Sequence, residues 1–425
     1  MVFAIPERLR LDNAANIYPA SMSKDYSSLY RMSVTLNEPV DKETLQKALR
    51  VTADRIPTFR CGLVAGRFWW YLDRLENRPQ VLPFRPLRPF RFQEQGGFLY
   101  RVSTDGNRIV LDMFHALADG YGAMSFLLTL TGEYLRRRHN LDITYNSLVL
   151  DPADKPVYAE VEDSFKSVFT GRKGQLEKND DAFHIPGDVM KDGHVKDLRA
   201  VLSMEDVRRV CREKACTVTE LMTAAMLSSL QELHRENARR RTPGFLKVSV
   251  PVNLRPLYGS RTVRNFSSYV NLGVNVKDGY LSIDELIAAV QRQKEHDLRK
   301  ENLEPKIAAN VELEESAVVR CLPLMVKHPI IDLINRLHGD RFVSQTLSNM
   351  GCVQLPEALL PYVQDVDFVL GRQRGNSGAC SCVGYGGKLY FHLSRKIEKD
   401  SFEQAFLRQL SQLGISAETS LSTLA

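Results

Sequence analysis

Strand-to-helix units recur along the chain, and this recurrence constrains the fold more than any other feature. The first unit has an apolar strand pattern at 28–36 and a helix pattern at 41–55. Asp41 is the expected N-cap of this helix, and Leu45 and Leu49 share one of its faces. Strand patterns that alternate with helix patterns are typical of α/β proteins.

Three further units have the same order of elements. Ser203 with Asp206, and Ser282 with Glu285, stand at the spacing of a helix capping box. The last strand pattern, at 388–394, is followed by a helix whose start resembles that of the first unit. Because a solvated helix start explains each cap, none of them is evidence of function. The units predict an α/β protein with mixed sheets and two related halves.

The segment 151–198 differs from the rest of the chain. It is rich in charge, glycine and proline and shows little periodicity. We therefore predict a crossover linker between an N-terminal subdomain, 1–150, and a C-terminal subdomain, 199–425. A length of 425 residues suits two or three compact units.

The charge pattern disfavours a nucleic-acid partner. The net charge of +6 is spread along the chain, and the densest basic clusters, at 135–139 and 238–244, end predicted helices. Cations complement the negative end of a helix dipole there, and no aromatic residues are interleaved with these arginines. A mildly basic surface still suits a small polyanionic ligand such as a nucleotide-bearing cofactor.

Cysteine usage and the N-terminal sequence predict a cytoplasmic protein. The seven cysteines are odd in number, and no pair has zinc-finger or redox spacing, so we expect neither disulfides nor a metal site. The first residues lack the pattern of a signal peptide, and no apolar run has the length of a transmembrane helix.

The stretch HALADG, which begins at His115, is the strongest candidate for chemistry. A strand pattern at 107–114 precedes it and a helix pattern at 122–138 follows it, so His115 ends a strand. Side chains at strand ends in α/β folds reach clefts. A structural alternative explains the same residues: Asp119 as an N-cap, Gly120 as a tight turn and His115 as a buried core histidine. The local pattern leaves both interpretations open.

H-x-x-x-D-G between a strand and a helix resembles the motif of the HxxxD acyltransferase superfamily. That group includes chloramphenicol acetyltransferase, alcohol acetyltransferases, plant BAHD enzymes and nonribosomal peptide condensation domains. Three further segments resemble relatives in the same order: 36–63, 250–270 and 347–372. The likeness spans nearly the whole chain and is closest to bacterial alcohol acetyltransferase-like proteins. It implies two similar chloramphenicol-acetyltransferase-like α/β subdomains with mixed sheets, and an active-site tunnel between them.

Two departures from the superfamily pattern bear on function. Phe114 stands where condensation domains have the first histidine of H-H-x-x-x-D-G, but the second histidine, here His115, does the chemistry in those relatives. The late D-F-V-L-G at 367–371 lacks the glycine and tryptophan of the BAHD signature D-F-G-W-G. This disfavours a plant-type acceptor and leaves the late segment a structural role.

The resemblance assigns a role to each candidate residue. With an ordinary pKa of about 6.5, His115 suits a general base that deprotonates an alcohol or amine acceptor. The acceptor then attacks an acyl-CoA thioester without an acyl-enzyme, and acyl-CoA is a co-substrate rather than a bound cofactor. Asp119 is expected to turn away from substrate and pair with an arginine, first Arg255 and second Arg264, with Gly120 in support.

Candidates for stabilising the oxyanion lie in the late segment. Ser348 and Asn349 match the Ser-Asn-x-Gly segment of alcohol acetyltransferases, although the letters SNMG are equally typical of a plain turn. Asn265 and Tyr269 are weaker candidates for the tunnel wall.

Three functions remain open at this point. The first is an acyl-CoA-dependent O- or N-acyltransferase. The second is a free-standing condensation-type enzyme whose acyl donor is a carrier protein. The third is a non-catalytic binding module of the same fold. The absence of a recognisable carrier motif favours the first, and the intact HALADG argues against the third.

Overall fold

The computed structural model describes residues 7–23, 26, 28–89, 91–168, 174, 180–239, 242–338 and 340–424. In chain order its strands are β1 (Arg8–Arg10), β2 (Leu29–Leu36), β3 (Cys61–Ala65), β4 (Trp70–Arg74), β5 (Val81–Pro83), β6 (Tyr100–Asp105), β7 (Arg108–Phe114), β8 (Lys196–Ser203), β9 (Phe245–Asn253), β10 (Ser267–Asn275), β11 (Gln345–Cys352), β12 (Val363–Leu370), β13 (Gly378–Tyr385), β14 (Lys388–Arg395) and β15 (Ala417–Thr423). Its α-helices are α1 (Ile17–Ala20), α2 (Lys42–Arg55), α3 (Gly120–His139), α4 (Ser164–Val168), α5 (Met204–Glu213), α6 (Val218–Asn237), α7 (Arg255–Tyr258), α8 (Ile283–Leu298), α9 (Lys300–Glu315), α10 (Ala317–Cys321), α11 (Leu324–His338) and α12 (Ser401–Gln412).

The predicted helix starts are confirmed. The Asp41 carboxylate accepts a hydrogen bond from the Thr44 backbone N at 2.8 Å and caps α2. Ser282 and Glu285 form the reciprocal capping box of α8. The helix predicted at 122–138 is α3, which begins two residues earlier because Asp119 caps it. Local sequence chemistry therefore determines where these helices begin.

A five-stranded sheet, in the order β12-β2-β7-β6-β5, carries the candidate motif. β2 pairs antiparallel with β7 on one side and with β12 on the other. Its residues are almost all buried, since α3 packs against the sheet and α2 packs against α3. The end of β7, where His115 follows, therefore lies inside the molecule.

The second large sheet has seven strands, in the order β10-β9-β11-β13-β14-β8-β15. β11 runs parallel to both β9 and β13, and the other pairs are antiparallel, so the sheet is mixed as predicted. Helix α6 packs between α8 and α12 beside this sheet. Met222 and Met226 of α6 are fully buried in the core.

The two sheets do not divide the chain at one point. β12 comes late in the sequence, yet it pairs with β2 in the sheet of N-terminal strands. The backbone N of Leu87 also donates to the carbonyl of Leu424. The subdomain boundaries at 150 and 198 stay predictions, and the strand order shows that the sheet of N-terminal strands includes one strand, β12, from the C-terminal half.

The crossover segment has anchors of its own. Arg55 on α2 donates two hydrogen bonds of 2.8 Å to the buried Glu160 carboxylate. Phe165 on α4 is buried in a small apolar cluster with Leu254 and Phe266. The crossover segment therefore holds the loop after β9 in place. The irregular composition of the segment did not indicate this role.

Helices α9, α10 and α11 have no counterpart among the sequence predictions. Proline interrupts two of them, at Pro305 and Pro329. Lys327 faces inward, with its Nζ donating to the Phe68 carbonyl at 2.8 Å and lying 3.3 Å from the centre of the Trp69 ring. A buried lysine reverses the usual amphipathic pattern. In the part of the chain that the structure describes, no helix combines the length and apolar character needed to cross a membrane.

Candidate active site

His115 follows directly after β7 and is held by three neighbours. Its backbone N donates to the Ser28 carbonyl at 2.9 Å. Its ring stacks on Tyr18 with centroids 4.3 Å apart and meets the edge of Tyr30 at 5.2 Å. The residues before and after it are buried, whereas the His115 side chain keeps partial solvent access. The imidazole is thus fixed in orientation and still reachable.

The two ring nitrogens of His115 differ in their contacts. Nδ1 lies 3.1 Å from Oδ1 of Asn265, whereas Nε2 has no hydrogen-bond partner among the described residues. Burial lowers the pKa of His115, although a hydrogen bond to its own backbone carbonyl, the Asp119 charge and Asn265 oppose this shift. A neutral imidazole with one free nitrogen is what a general base requires.

The Asp119 carboxylate is turned into the protein and is saturated with donors. Arg255 donates two hydrogen bonds to it, from Nη1 to Oδ2 at 2.9 Å and from Nη2 to Oδ1 at 3.0 Å. The backbone N atoms of Gly122 and Phe266 donate to it at 3.1 Å and 2.9 Å. The carboxylate therefore joins the start of α3 to the loop after β9. Of the two arginines considered from the sequence, the structure pairs Arg255 with Asp119.

Arg264 has a different partner, Asp12. Its Nε lies 3.6 Å from Asp12 Oδ2, and Asn265 Nδ2 donates to the same oxygen at 3.2 Å. Burial raises the pKa of Asp12 to about 7, with the Arg264 charge acting against the rise. Asp12 was not among the candidates from the sequence, because the Asn265 that it contacts lies 253 positions further along the chain.

Two glycines near the motif allow close approach. A Cβ on Gly122 would lie 1.9 Å from the Val263 carbonyl oxygen, so only glycine fits where α3 meets the loop. A Cβ on Gly120 would lie 2.7 Å from Sδ of Met350. Gly120 does not have the left-handed backbone of a tight turn. Because the Met350 side chain is flexible and can move aside, this contact requires a glycine less strictly than the backbone contact at Gly122 does.

The two oxyanion candidates have different surroundings. The Asn349 side chain is engaged: Nδ2 donates to Thr219 Oγ1 at 3.0 Å, and Oδ1 accepts from the Gly351 backbone N at 2.8 Å. Ser348 lies beside Ser381 of β13 and is partly exposed. Ser348 is therefore the freer of the two, and both remain candidates.

The late D-F-V-L-G segment forms part of a buried ion network on β12. Asp367 lies 2.9 Å from Nε2 of His392 and accepts from Arg199 Nε at 2.7 Å. A Cβ on Gly371 would lie 2.5 Å from the Leu29 carbonyl oxygen, so the glycine permits close packing on β2. These contacts agree with the structural role expected for this segment.

Other candidate features lie apart from His115. Tyr269, considered for a tunnel wall, is well exposed. Two surface cavities of about 420 and 500 Å³ lie beside Cys211 and Asn271, and His115 lines neither. The described residues contain no group of three or more histidine, cysteine or acidic side chains that could hold a metal ion. The tunnel itself stays a prediction.

Sequence comparison finds one group of related proteins and no matching family model. No protein-family model matches the sequence. The uncharacterized protein Rv2305 of Mycobacterium tuberculosis is 25% identical over 351 residues, which is 77% of this chain and 76% of that protein. This relative has no described activity to compare.

Solved structures match over almost the whole chain. Polyketide synthase associated protein 5 of Mycobacterium tuberculosis has a TM-score of 0.64 at 15% identity, covering 95% of this chain and 97% of that one. TRI101 of F. graminearum, solved with coenzyme A and deoxynivalenol, has a TM-score of 0.65 at 12% identity, covering 97% and 99%. The TRI3 trichothecene 15-O-acetyltransferase of Fusarium sporotrichioides has a TM-score of 0.61 at 10% identity, covering 96% and 95%.

These matches show the fold of the protein. The chain has the two-lobed α/β fold shared by chloramphenicol-acetyltransferase-like acyltransferases and condensation domains, which are also among the matching structures. The predicted fold class is thereby confirmed, and the solved structures that share it include acyltransferases and condensation domains. The finer likeness to bacterial alcohol acetyltransferases stays a prediction.

Proposed function

We propose that the protein is an acyltransferase that moves an acyl group from an acyl-CoA thioester to an alcohol or amine. The environment of His115 carries the proposal: its side chain is partly accessible, its Nε2 has no partner among the described residues, and its surroundings lower its pKa. The neighbours of the same fold add support, since one was solved with coenzyme A and another is described as an acetyltransferase.

The proposed reaction needs only one base. His115 takes the proton from the acceptor as its oxygen or nitrogen attacks the thioester carbonyl. The tetrahedral oxyanion collapses, the carbon–sulfur bond breaks, and the imidazolium returns the proton to the leaving thiolate. No acyl-enzyme forms. The buried cysteines Cys380 and Cys382 fit this scheme, because burial raises their thiol pKa and makes them poor nucleophiles.

Asp119 and Arg255 are assigned a positioning role. Their paired charges are buried and face each other, so they hold the loop that carries His115 without contacting substrate. Ser348 is the preferred donor for the oxyanion, and a donor of this kind typically contributes ~100-fold or more to the rate.

The test is thiol release from acetyl-CoA and longer acyl-CoAs, with and without a panel of alcohols and amines. Wild type, His115→Ala and the control His296→Ala are compared; His296 is an exposed histidine on α8. Acceptor-dependent release by wild type and by His296→Ala, lost in His115→Ala, supports the proposal. Release that survives in His115→Ala contradicts it.

A carrier-protein donor is the second candidate. Condensation domains share the fold, and one matching structure is described as polyketide synthase associated. This candidate keeps His115 as the base and changes only the donor. Acyl transfer from a phosphopantetheine carrier, without transfer from free acyl-CoA, would favour it. Silence with both donors would favour a non-catalytic binding module.

A further inference from the structure

The Asn265 side chain lies between Asp12 and His115, and the chemistry of Asp12 decides which way the amide faces. The described contacts of the Asp12 carboxylate are with N–H groups: the Ala15 backbone N at 2.9 Å, the Asn265 backbone N at 3.4 Å and Asn265 Nδ2 at 3.2 Å. The Arg264 guanidinium lies beside them. Each Asp12 oxygen already accepts from a backbone N–H and Oδ2 faces Arg264, so the group acts as an acceptor here even though burial raises its pKa to about 7. The NH₂ group of Asn265 must therefore face Asp12.

This orientation fixes the proton on His115. With NH₂ toward Asp12, Asn265 presents its carbonyl oxygen to His115 Nδ1 at 3.1 Å. A carbonyl oxygen cannot donate, so Nδ1 must carry the hydrogen in a neutral imidazole. The lone pair then resides on Nε2, which is the nitrogen without a described partner.

We propose that Asn265, itself held by Asp12, is a positioning residue that keeps neutral His115 protonated on Nδ1 and leaves Nε2 ready to take the acceptor proton. The inference deepens the acyltransferase proposal, and its kinetic readout rests on that function. Asp12 follows β1, His115 follows β7 and Asn265 precedes β10, so the three side chains meet where these segments come together.

An amide suits this place better than a carboxylate. A carboxylate at the same distance would also accept from Nδ1, but its charge would stabilise the imidazolium and weaken the return of the proton. Asn265 fixes the tautomer without adding charge, and the charge of Asp119, which raises the pKa of His115, is paired with Arg255.

The first test reads the tautomer directly. Protein with ¹⁵N-labelled histidine rings is studied by NMR without substrate, and the His115 signals are identified by their loss in His115→Gln. We expect hydrogen on Nδ1 in wild type, and a mixture of tautomers in Asn265→Leu and in Asp12→Asn. Hydrogen on Nε2 in wild type, or an unchanged tautomer in both variants, overturns the proposal.

The second test is kinetic and uses an isosteric exchange. Asn265→Leu should lower kcat about 10–100-fold with KM within about twofold, because the base loses its orientation rather than its substrate. The double variant Asp12→Asn/Asn265→Asp keeps the net charge and sets a carboxylate against His115. It should move the acid limb of the pH profile upward by about one unit or more.

Controls separate this proposal from the proposed function. Asn271→Ala on β10 removes an amide whose Oδ1 has no described partner, and it should leave kcat and the pH profile unchanged. Thermal melting identifies any variant that fails to fold. A wild-type protein with hydrogen on Nδ1 but no thioester turnover would contradict only the acyltransferase function. Full turnover and an unmoved acid limb in the double variant would contradict the role of Asn265.

Discussion

Two histidines of the same molecule, the partly accessible His115 and the buried His392, have opposite electrostatic environments. His115, after β7, has the neutral amide of Asn265 on Nδ1 and no described partner on Nε2. His392, within β14, has carboxylates on both nitrogens, Asp197 at 2.8 Å and Asp367 at 2.9 Å. Burial lowers the pKa of His115. At His392 burial also opposes the charge, but the two carboxylates outweigh it and raise its pKa to about 9.

The difference shows how one side chain serves two purposes. His392 is held as a cation that ties β14 to Asp197 on β8 and to Asp367 on β12, so it connects strands of the two sheets. His115 is kept neutral chiefly by burial, and the opposing charge of Asp119 is paired with Arg255. The comparison implies that a base needs a polar but uncharged partner, whereas a structural cation needs paired acids.

Replacing His115 should have the largest effect on turnover. His115→Ala removes the only proposed base, and general bases typically contribute about 10²–10⁴-fold. Thermal melting should stay close to wild type, since the side chain keeps partial solvent access. Turnover is measured by steady-state kinetics with the best acyl-CoA and acceptor, and thermal stability by circular dichroism. A variant that melts far below wild type would mean that His115 has a structural role like that of His392.

Replacing Asp119 should damage the fold and the chemistry together. Asp119→Ala leaves the buried Arg255 guanidinium without its carboxylate partner. Breaking a buried ion pair in this way typically lowers the unfolding free energy by about 3–5 kcal/mol. The matched control is Asp105→Ala, which removes an exposed pair with Arg108 and should cost less than about 1 kcal/mol. Denaturant unfolding of both variants gives the comparison. Equal losses in the two would contradict the positioning role.

The His392 network should make stability fall in alkaline solution. Its folded pKa of about 9 lies above the unfolded value of 6.5, so its contribution is complete below pH 6.5 and is lost as the pH rises through about 9. The raised pKa corresponds to about 3 kcal/mol. The unfolding free energy of wild type and of His392→Gln should therefore converge between pH 6.5 and 9. A gap that stays constant over this range would show that His392 is not charged.

The acid limb of activity should lie below the ordinary histidine range. The lowered pKa of His115 keeps the base neutral as the pH falls past 6.5, so kcat/KM at pH 6.5 should remain above about half of its plateau. A pH profile of kcat/KM from 5 to 9 measures this smallest effect. A midpoint above 7 would mean that His115 shares the environment of His392.

Sequence reasoning reached the local parts of the site and missed its distant parts. The caps at Asp41 and Ser282 and the strand before His115 depend on neighbours within a few positions, so their pattern is readable. The Arg255 partner of Asp119 came from resemblance to relatives. Asp12 could not be foreseen, because nothing in its own segment marks a contact made 253 positions away. The inward Lys327 of α11 likewise defeats any prediction based on amphipathic periodicity.

The late arrival of β12 has a consequence for biosynthesis. The sheet that supports His115 is completed only when residues 363–370 pair with β2. During translation β2 therefore waits with one edge unpaired while more than three hundred further residues are added, and such an edge is prone to pair with other chains. Production of this protein should accordingly depend on how well the nascent N-terminal half is shielded until its last strand emerges.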